Sequence, residues 1–199
     1  MLRDSQANPP STSIVYLLGY PGVGKYTIGR ELARRTGAAL IDSQIINLPI
    51  LALLDWEGTS QLPPGTLDRT APIRDAVLTA LEEIAPRSMS YVFTNVLAND
   101  PADIAIYDRL KRIAHMRGSH FLPVMLTCAS DVQLQRVAAL SRARRLKITD
   151  PEGVQRLMAE VELYVPDDAA LMTLDTTTAA PEQTAAVITE AIRSNDATR

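Results

Sequence analysis

The densest chemistry in this sequence is the run Gly19-Tyr20-Pro21-Gly22-Val23-Gly24-Lys25-Tyr26-Thr27. Glycines at these intervals let backbone N–H groups curl around a phosphate without Cβ clashes. If a helix opens at Lys25, its N-terminus adds partial positive charge to the same spot. Lys25 then reaches the terminal phosphates as a point charge, and the Thr27 hydroxyl faces them. The expected phosphate cradle is therefore Gly19, Gly22, Val23, Gly24, Lys25, Tyr26 and Thr27. In the common form of such loops a Ser or Thr directly follows the lysine and holds Mg²⁺. Here Tyr26 has that place and Thr27 comes one later. Magnesium is then expected through water, from the nucleotide and a carboxylate elsewhere. The plain alternative is a tight strand-to-helix turn with a surface lysine.

Other residues could serve the same chemistry. Asp42 ends an apolar run; it could hold Mg²⁺ through water, act as a base toward an acceptor hydroxyl, or simply cap the next helix. Ser141-Arg-Ala-Arg-Arg-Leu-Lys147 could put Arg142, Arg144, Arg145 and Lys147 over a transferring phosphoryl group and exclude water, or be a solvated basic loop. Thr94-Asn95 stands where many phosphate-loop proteins carry a magnesium-binding acid. Asn95 can hydrogen-bond a substrate but brings no charge, and Asp100 is the nearest substitute. Arg74 could clamp an anionic acceptor, pair with Asp75, or snorkel. Trp56, the only Trp, could line an acceptor pocket or pack a lid. His115 and His120 read as surface residues, and Cys128 as a small buried one.

The elements that must position these residues alternate. Ile14–Leu18 is continuously apolar, as a strand covered on both faces should be. A helix over about 25–36 follows and stops at Gly37. Further strands are expected at 38–41, from Ser90, at 121–127 despite Pro123, and at 171–174. Helices are expected over about 45–54, from a Thr70 cap with Pro72 in the first turn, over 101–117, 131–140, 150–164, and from Pro181. The stripe of the Pro72 helix is expected to be Ile73, Val77, Leu81 and Ile84. Strands separated by helices mean parallel strands with crossovers, a helix-covered α/β sheet. Ligands bind such sheets at the carboxyl ends of the strands.

Composition narrows the function classes. At 199 residues with 46% hydrophobic and 22% charged, one domain with its own core is expected. We divide the chain into a polar arm (1–12), a domain (13–193) with an insertion at about 43–70 and a lid at about 141–150, and a tail (194–199). Lys and Arg number 20 against 23 Asp and Glu, a net charge of −3, so nucleic acid is not the expected partner. A single Cys excludes an intrachain disulfide and fits a reducing compartment. No membrane span or signal peptide is legible, so a cytoplasmic location is expected. The apolar stretch IINLPILALL could pair with a second copy.

The motif G-x-P-G-x-G-K-x-T resembles the loop of adenylate kinases. The layout resembles the small P-loop kinases: adenylate, shikimate and gluconate kinases. It is similar also to uncharacterised bacterial P-loop proteins labelled AAA-family ATPases or kinase-like, through FTN after the third strand, LTC after the fourth, the Arg-rich segment, K-x-T-D-P, and LDT at the fifth strand. This resemblance covers about residues 13–193 and implies a three-layer P-loop fold with a five-stranded parallel sheet in the order 2-3-1-4-5. It implies an ATP- and Mg²⁺-dependent transfer of the γ-phosphoryl group to a small acceptor. Lys25, Asp42, Arg142 and Arg145 would be catalytic, with Thr27 and Asp42 at the metal. Arg136 would pack on adenine, with Thr176 in the base-contacting loop. Asp42, Trp56, Arg74 and Asn95 would face the acceptor. An ATPase or a nucleotide-binding regulatory module without such an acceptor is the second expectation.

Overall fold

The computed structural model describes residues 12–139 and 147–197, the last three by backbone alone. The expected lid residues Arg142, Arg144 and Arg145 lie outside the described residues. The elements are β1 (Ser13–Leu18), α1 (Lys25–Thr36), β2 (Ala39–Asp42), α2 (Ser43–Leu53), α3 (Thr66–Glu83), β3 (Tyr91–Asn95), α4 (Pro101–Arg117), β4 (His120–Thr127), α5 (Ser130–Val137), α6 (Pro151–Glu160), β5 (Met172–Asp175) and α7 (Pro181–Ala197). The five strands form one sheet in the order β2-β3-β1-β4-β5, and every pair is parallel. The expected topology is the one observed.

The central strand explains its own composition. Alternate side chains of a strand leave on opposite faces, and both faces of β1 are covered. Ile14, Tyr16 and Leu18 pack with Leu78 and Leu81 of α3 and Leu110 and Ile113 of α4. Val15 and Leu17 pack with Ile28 and Leu32 of α1 and Ala185 and Ile188 of α7. Register aligns the carboxyl ends: Leu18 lies beside Asn95 and Met125, Asp42 beside Thr94, and Thr127 beside Asp175. Pro123 is tolerated because the pairing of β4 with β5 begins only at Val124, so at Pro123 only β1 lies alongside.

Several expectations are corrected. Helix α3 starts at Thr66, not at a Thr70 cap, behind Gly65 with φ 77°. Thr70 sits inside it, buried, its hydroxyl donating to the Leu67 carbonyl at 2.8 Å. The buried residues of this helix are Thr66, Thr70, Leu78 and Leu81; Ile73 and Val77 are partly buried, and Ile84, just past the helix end, is 80% exposed. Helix α6 ends at Glu160, short of Tyr164, because Leu163 forms an antiparallel bridge with Ala98 and the Tyr164 N–H bonds the Leu97 carbonyl. Helix α7 runs through Ala197, into the expected tail. His120 is the first residue of β4 and partly buried. Ile45, Leu48 and Leu53 of α2 are exposed. Among the described residues no helix is long and apolar enough to cross a membrane.

Candidate nucleotide and acceptor cleft

The turn between β1 and α1 has the backbone a phosphate loop requires. Gly19, Gly22 and Gly24 all have positive φ (134°, 92° and 96°). A Cβ on Gly22 would sit 2.8 Å from Gln133 Cγ and the Gln133 carbonyl, so helix α5 presses directly on the loop. Gln133 is buried and its Nε2 donates to the Pro21 carbonyl at 2.7 Å. Lys25 curls back over the loop: its Nζ donates to the Gly19 carbonyl, and to Tyr20 O at 2.8 Å. Tyr20 in turn donates to Val161 O at 2.6 Å, which ties the loop to the end of α6. Val23 is buried and Thr27 is exposed on the first turn of α1.

Arg136 and Thr176 lie together beside this loop. The Arg136 guanidinium donates to the Thr176 hydroxyl (3.1 Å) and carbonyl (2.7 Å) and to the Thr177 carbonyl (3.3 Å). Thr176 is buried, its hydroxyl shared between the carbonyls of Val23 (2.9 Å) and Thr127 (3.0 Å). Its hydroxyl therefore pins the loop to the end of β4. Arg136 is held as a platform, its polar edge spent on backbone.

On the other side of the loop stands Asp42. Its Oδ1 accepts from the Thr94 hydroxyl at 2.6 Å, and its Oδ2 meets Lys147 Nζ at 2.8 Å. Lys147 Nζ also lies 4.8 Å from the centroid of the Tyr26 ring, a cation–π contact. Asp42 precedes α2 but makes no side-chain cap bond, so the capping role falls away. Among the described residues no group of three or more His, Cys, Asp and Glu could hold a metal. Asp100 is spent as the cap of α4, accepting from the N–H groups of Ala102 and Asp103. Thr27 and Asp42 do not form a magnesium site with Lys147 on the carboxylate. The glycine backbone and Lys25, in contrast, fit a nucleotide's phosphates.

Beyond Asp42 the cleft deepens. It measures about 1790 Å³ and runs from Gly22 and Lys25 past Asp42 to Trp56, Arg74, Asn95 and Asp103. Single-ligand pockets are typically ~300–1,000 Å³, so this one has room for two. Trp56 is buried in its wall, its indole N–H donating to Ser60 O at 2.7 Å. Asn95 donates to the Tyr16 hydroxyl at 3.0 Å and accepts from the Val96 N–H at 2.9 Å. Burial pushes the Tyr16 hydroxyl well above the usual range, against the Asn95 hydrogen bond, so it stays a neutral phenol. Burial also raises the Asp103 carboxyl, opposed by the Ala98 N–H. Arg74 is partly buried here, and its Nε is buried without a hydrogen-bond partner. The alternative partner, Asp75, is on Arg109 at 3.3 Å.

Sequence reasoning missed Tyr16, Asp103, Gln133 and the contacts of Lys147. Tyr16 is masked inside a continuous apolar strand, and Asp103 reads as an ordinary first-turn acid. Gln133 has no sequence signal. Lys147 had one, its place in the basic segment next to K-x-T-D-P.

No protein-family model matches the sequence, and no curated protein matches it. Solved structures do. The chain is similar to a sugar kinase from Janibacter (TM-score 0.62, 16% identity, 94% of this chain and 97% of that one). It is similar to a gluconokinase from Sinorhizobium meliloti (0.59, 18%, 93% and 91%) and to a shikimate kinase from Acinetobacter baumannii (0.52, 23%, 94% and 96%). At these identities the likeness establishes a fold of the P-loop kinase type. It supports the small-kinase half of the sequence resemblance and not the AAA-family ATPase half.

Proposed function

We propose that this protein is an ATP-dependent phosphotransferase that moves the γ-phosphoryl group to a small acceptor carrying a negative charge. One observation carries the reading: Arg74, with a buried Nε that has no hydrogen-bond partner, lines the cleft that Lys25 and the glycine loop also line. A guanidinium is a cation in the wall of that cleft, and a carboxylate or phosphate on the acceptor is the group that pairs with it. The kinase-type fold of the structural neighbours supports the same reading.

The roles we assign are these. The loop amides and Lys25 hold the phosphates, and Arg136 offers its flat face to the base. Arg74 and the walls built by Trp56 and Asn95 hold the acceptor. The acceptor hydroxyl oxygen forms the new bond to the γ-phosphorus as the bond to the ADP oxygen breaks. Asp42 takes the hydroxyl proton on a carboxylate lone pair that Thr94 and Lys147 leave open. Arg142 and Arg145 neutralise the charge on the moving group. ATP would supply the phosphoryl group.

The engaged carboxylate of Asp42 favours a second reading, an ATPase or nucleotide-binding regulatory module without a small acceptor. ADP formation from Mg-ATP separates the two. It should rise with a pool of hydroxylated acids, sugars and nucleotides and vanish in Lys25→Ala. Slow ADP release that no acceptor accelerates would select the second reading.

A further inference from the structure

The lysine that ends the Arg-rich segment, Lys147, sits where the common phosphate loop works with a metal. Position 26, directly after the loop lysine, carries an aromatic ring instead of a hydroxyl, and Lys147 Nζ lies 4.8 Å from its centroid. The same ammonium contacts the one carboxylate at the end of β2, Asp42, at 2.8 Å. Both side chains are largely out of solvent, 16% exposed for Lys147 and 5% for Asp42. At the end of the adjoining strand stands neutral Asn95, with both ends of its amide engaged. A divalent ion bound at Asp42 would have to displace Lys147 or sit against its like charge.

The main chain around Lys147 is built to hold it there. The Thr149 N–H bonds the Gly58 carbonyl at 2.8 Å. Gly58 has φ 91°, and a Cβ on it would strike the Lys147 carbonyl. Asp150 caps α6, accepting from the N–H groups of Glu152 (3.0 Å) and Gly153 (2.9 Å). The strap 147–150 is thus anchored to the insertion on one side and to a helix on the other.

We propose that Lys147 is the resident cation of the phosphate site, so that this chain binds nucleotide phosphates without a protein-held magnesium ion. The inference rests on the nucleotide half of the proposed function. An ammonium has three N–H donors; it can keep one on Asp42 and turn another to a phosphate oxygen. The Tyr26 ring supports the cation from below, which is a use for the residue that departs from the common loop. Asp42 then orients Lys147 rather than a metal.

The test is calorimetric binding of AMP-PNP in excess EDTA and in millimolar Mg²⁺. For the wild-type chain the dissociation constants should agree within about threefold. Lys147→Met should weaken binding in EDTA by about tenfold or more, and by less in Mg²⁺. Lys147→Arg should restore most of the loss in EDTA. Wild-type affinity that depends on Mg²⁺ beyond that margin would overturn the inference, and needs no variant to fold. So would a loss in Lys147→Met that is absent, or equal in the two buffers. Lys25→Ala is the control for the site. Binding only with Mg²⁺ refutes this inference and leaves the nucleotide reading standing. No binding in either buffer refutes both.

Discussion

The Thr176 hydroxyl reaches the Val23 carbonyl at 2.9 Å across 153 residues of sequence. It joins the loop after β5 to the floor of the phosphate loop, and Arg136 clasps the same hydroxyl at 3.1 Å. Thr176→Val keeps the shape and removes the tie. A buried carbonyl left without its partner costs about 1–3 kcal/mol. We expect a lower urea midpoint and a nucleotide affinity weakened about three- to tenfold, while Thr176→Ser behaves as wild type in both measurements.

Arg117 is expected to be a main stabiliser of the layer that covers one face of the sheet. It is buried, and its guanidinium donates to the carbonyls of Leu81 (2.7 Å), Ala85 (3.1 Å) and Pro86 (2.5 Å). It also lies 5.2 Å from the Tyr91 ring centroid. The last carbonyls of a helix have no partners of their own, and the end of α3 takes its partners from the end of α4. Arg117→Ala should cost about 3–5 kcal/mol. Arg117→Lys keeps the charge but loses the fork and should recover less than half of that in equilibrium unfolding.

Stability toward acid should depend on Asp168. Burial works against its ionisation, but Lys111 at 2.7 Å, the Ala170 N–H and the Tyr107 hydroxyl together hold the carboxyl below its usual range. A carboxyl depressed in the folded state binds fewer protons there than in the unfolded chain. The stabilisation is therefore complete above the ordinary Asp value of about 3.9 and is lost as pH falls through the folded value. Asp168→Asn should be less stable than wild type by about 1–2 kcal/mol at neutral pH. Urea titrations at falling pH should show that gap closing below about pH 4; a constant gap would refute the assignment.

Local signals made most of this legible. The run Ile14–Leu18, the glycines after it and the Gly37 stop placed β1, the loop and α1. Alternation of strand and helix gave the parallel sheet, because parallel strands require crossovers. The start of α3 was not legible: Thr70 and Pro72 form a plausible cap, and only the tertiary burial of Thr66 and Thr70 extends the helix past them. Nor was the state of Asp42. The sequence places a carboxylate at a strand end, but its partner Lys147 comes from 105 residues further on, brought there by the Gly58 strap. Contacts of that separation leave no periodicity to read.

The acceptor half of the cleft yields the most specific expectation. Arg74 lines it and has a buried, unpartnered Nε, and Asp75 beside it is committed to Arg109. Removing Arg74 therefore breaks no hydrogen bond at Nε and takes no partner from Asp75, so the fold should tolerate Arg74→Ala within about 1 kcal/mol. AMP-PNP affinity should stay within about threefold of wild type if the phosphate loop alone holds the nucleotide. Acceptor-dependent ADP formation should fall by about tenfold or more, through KM when the lost contact serves binding alone. Arg74→Lys should rescue only in part, since a lysine cannot offer the paired N–H groups that match a carboxylate or phosphate. If Arg74→Ala leaves acceptor-dependent turnover intact, the acceptor is not held by this guanidinium. If it abolishes nucleotide binding as well, the cleft is not divided into nucleotide and acceptor halves.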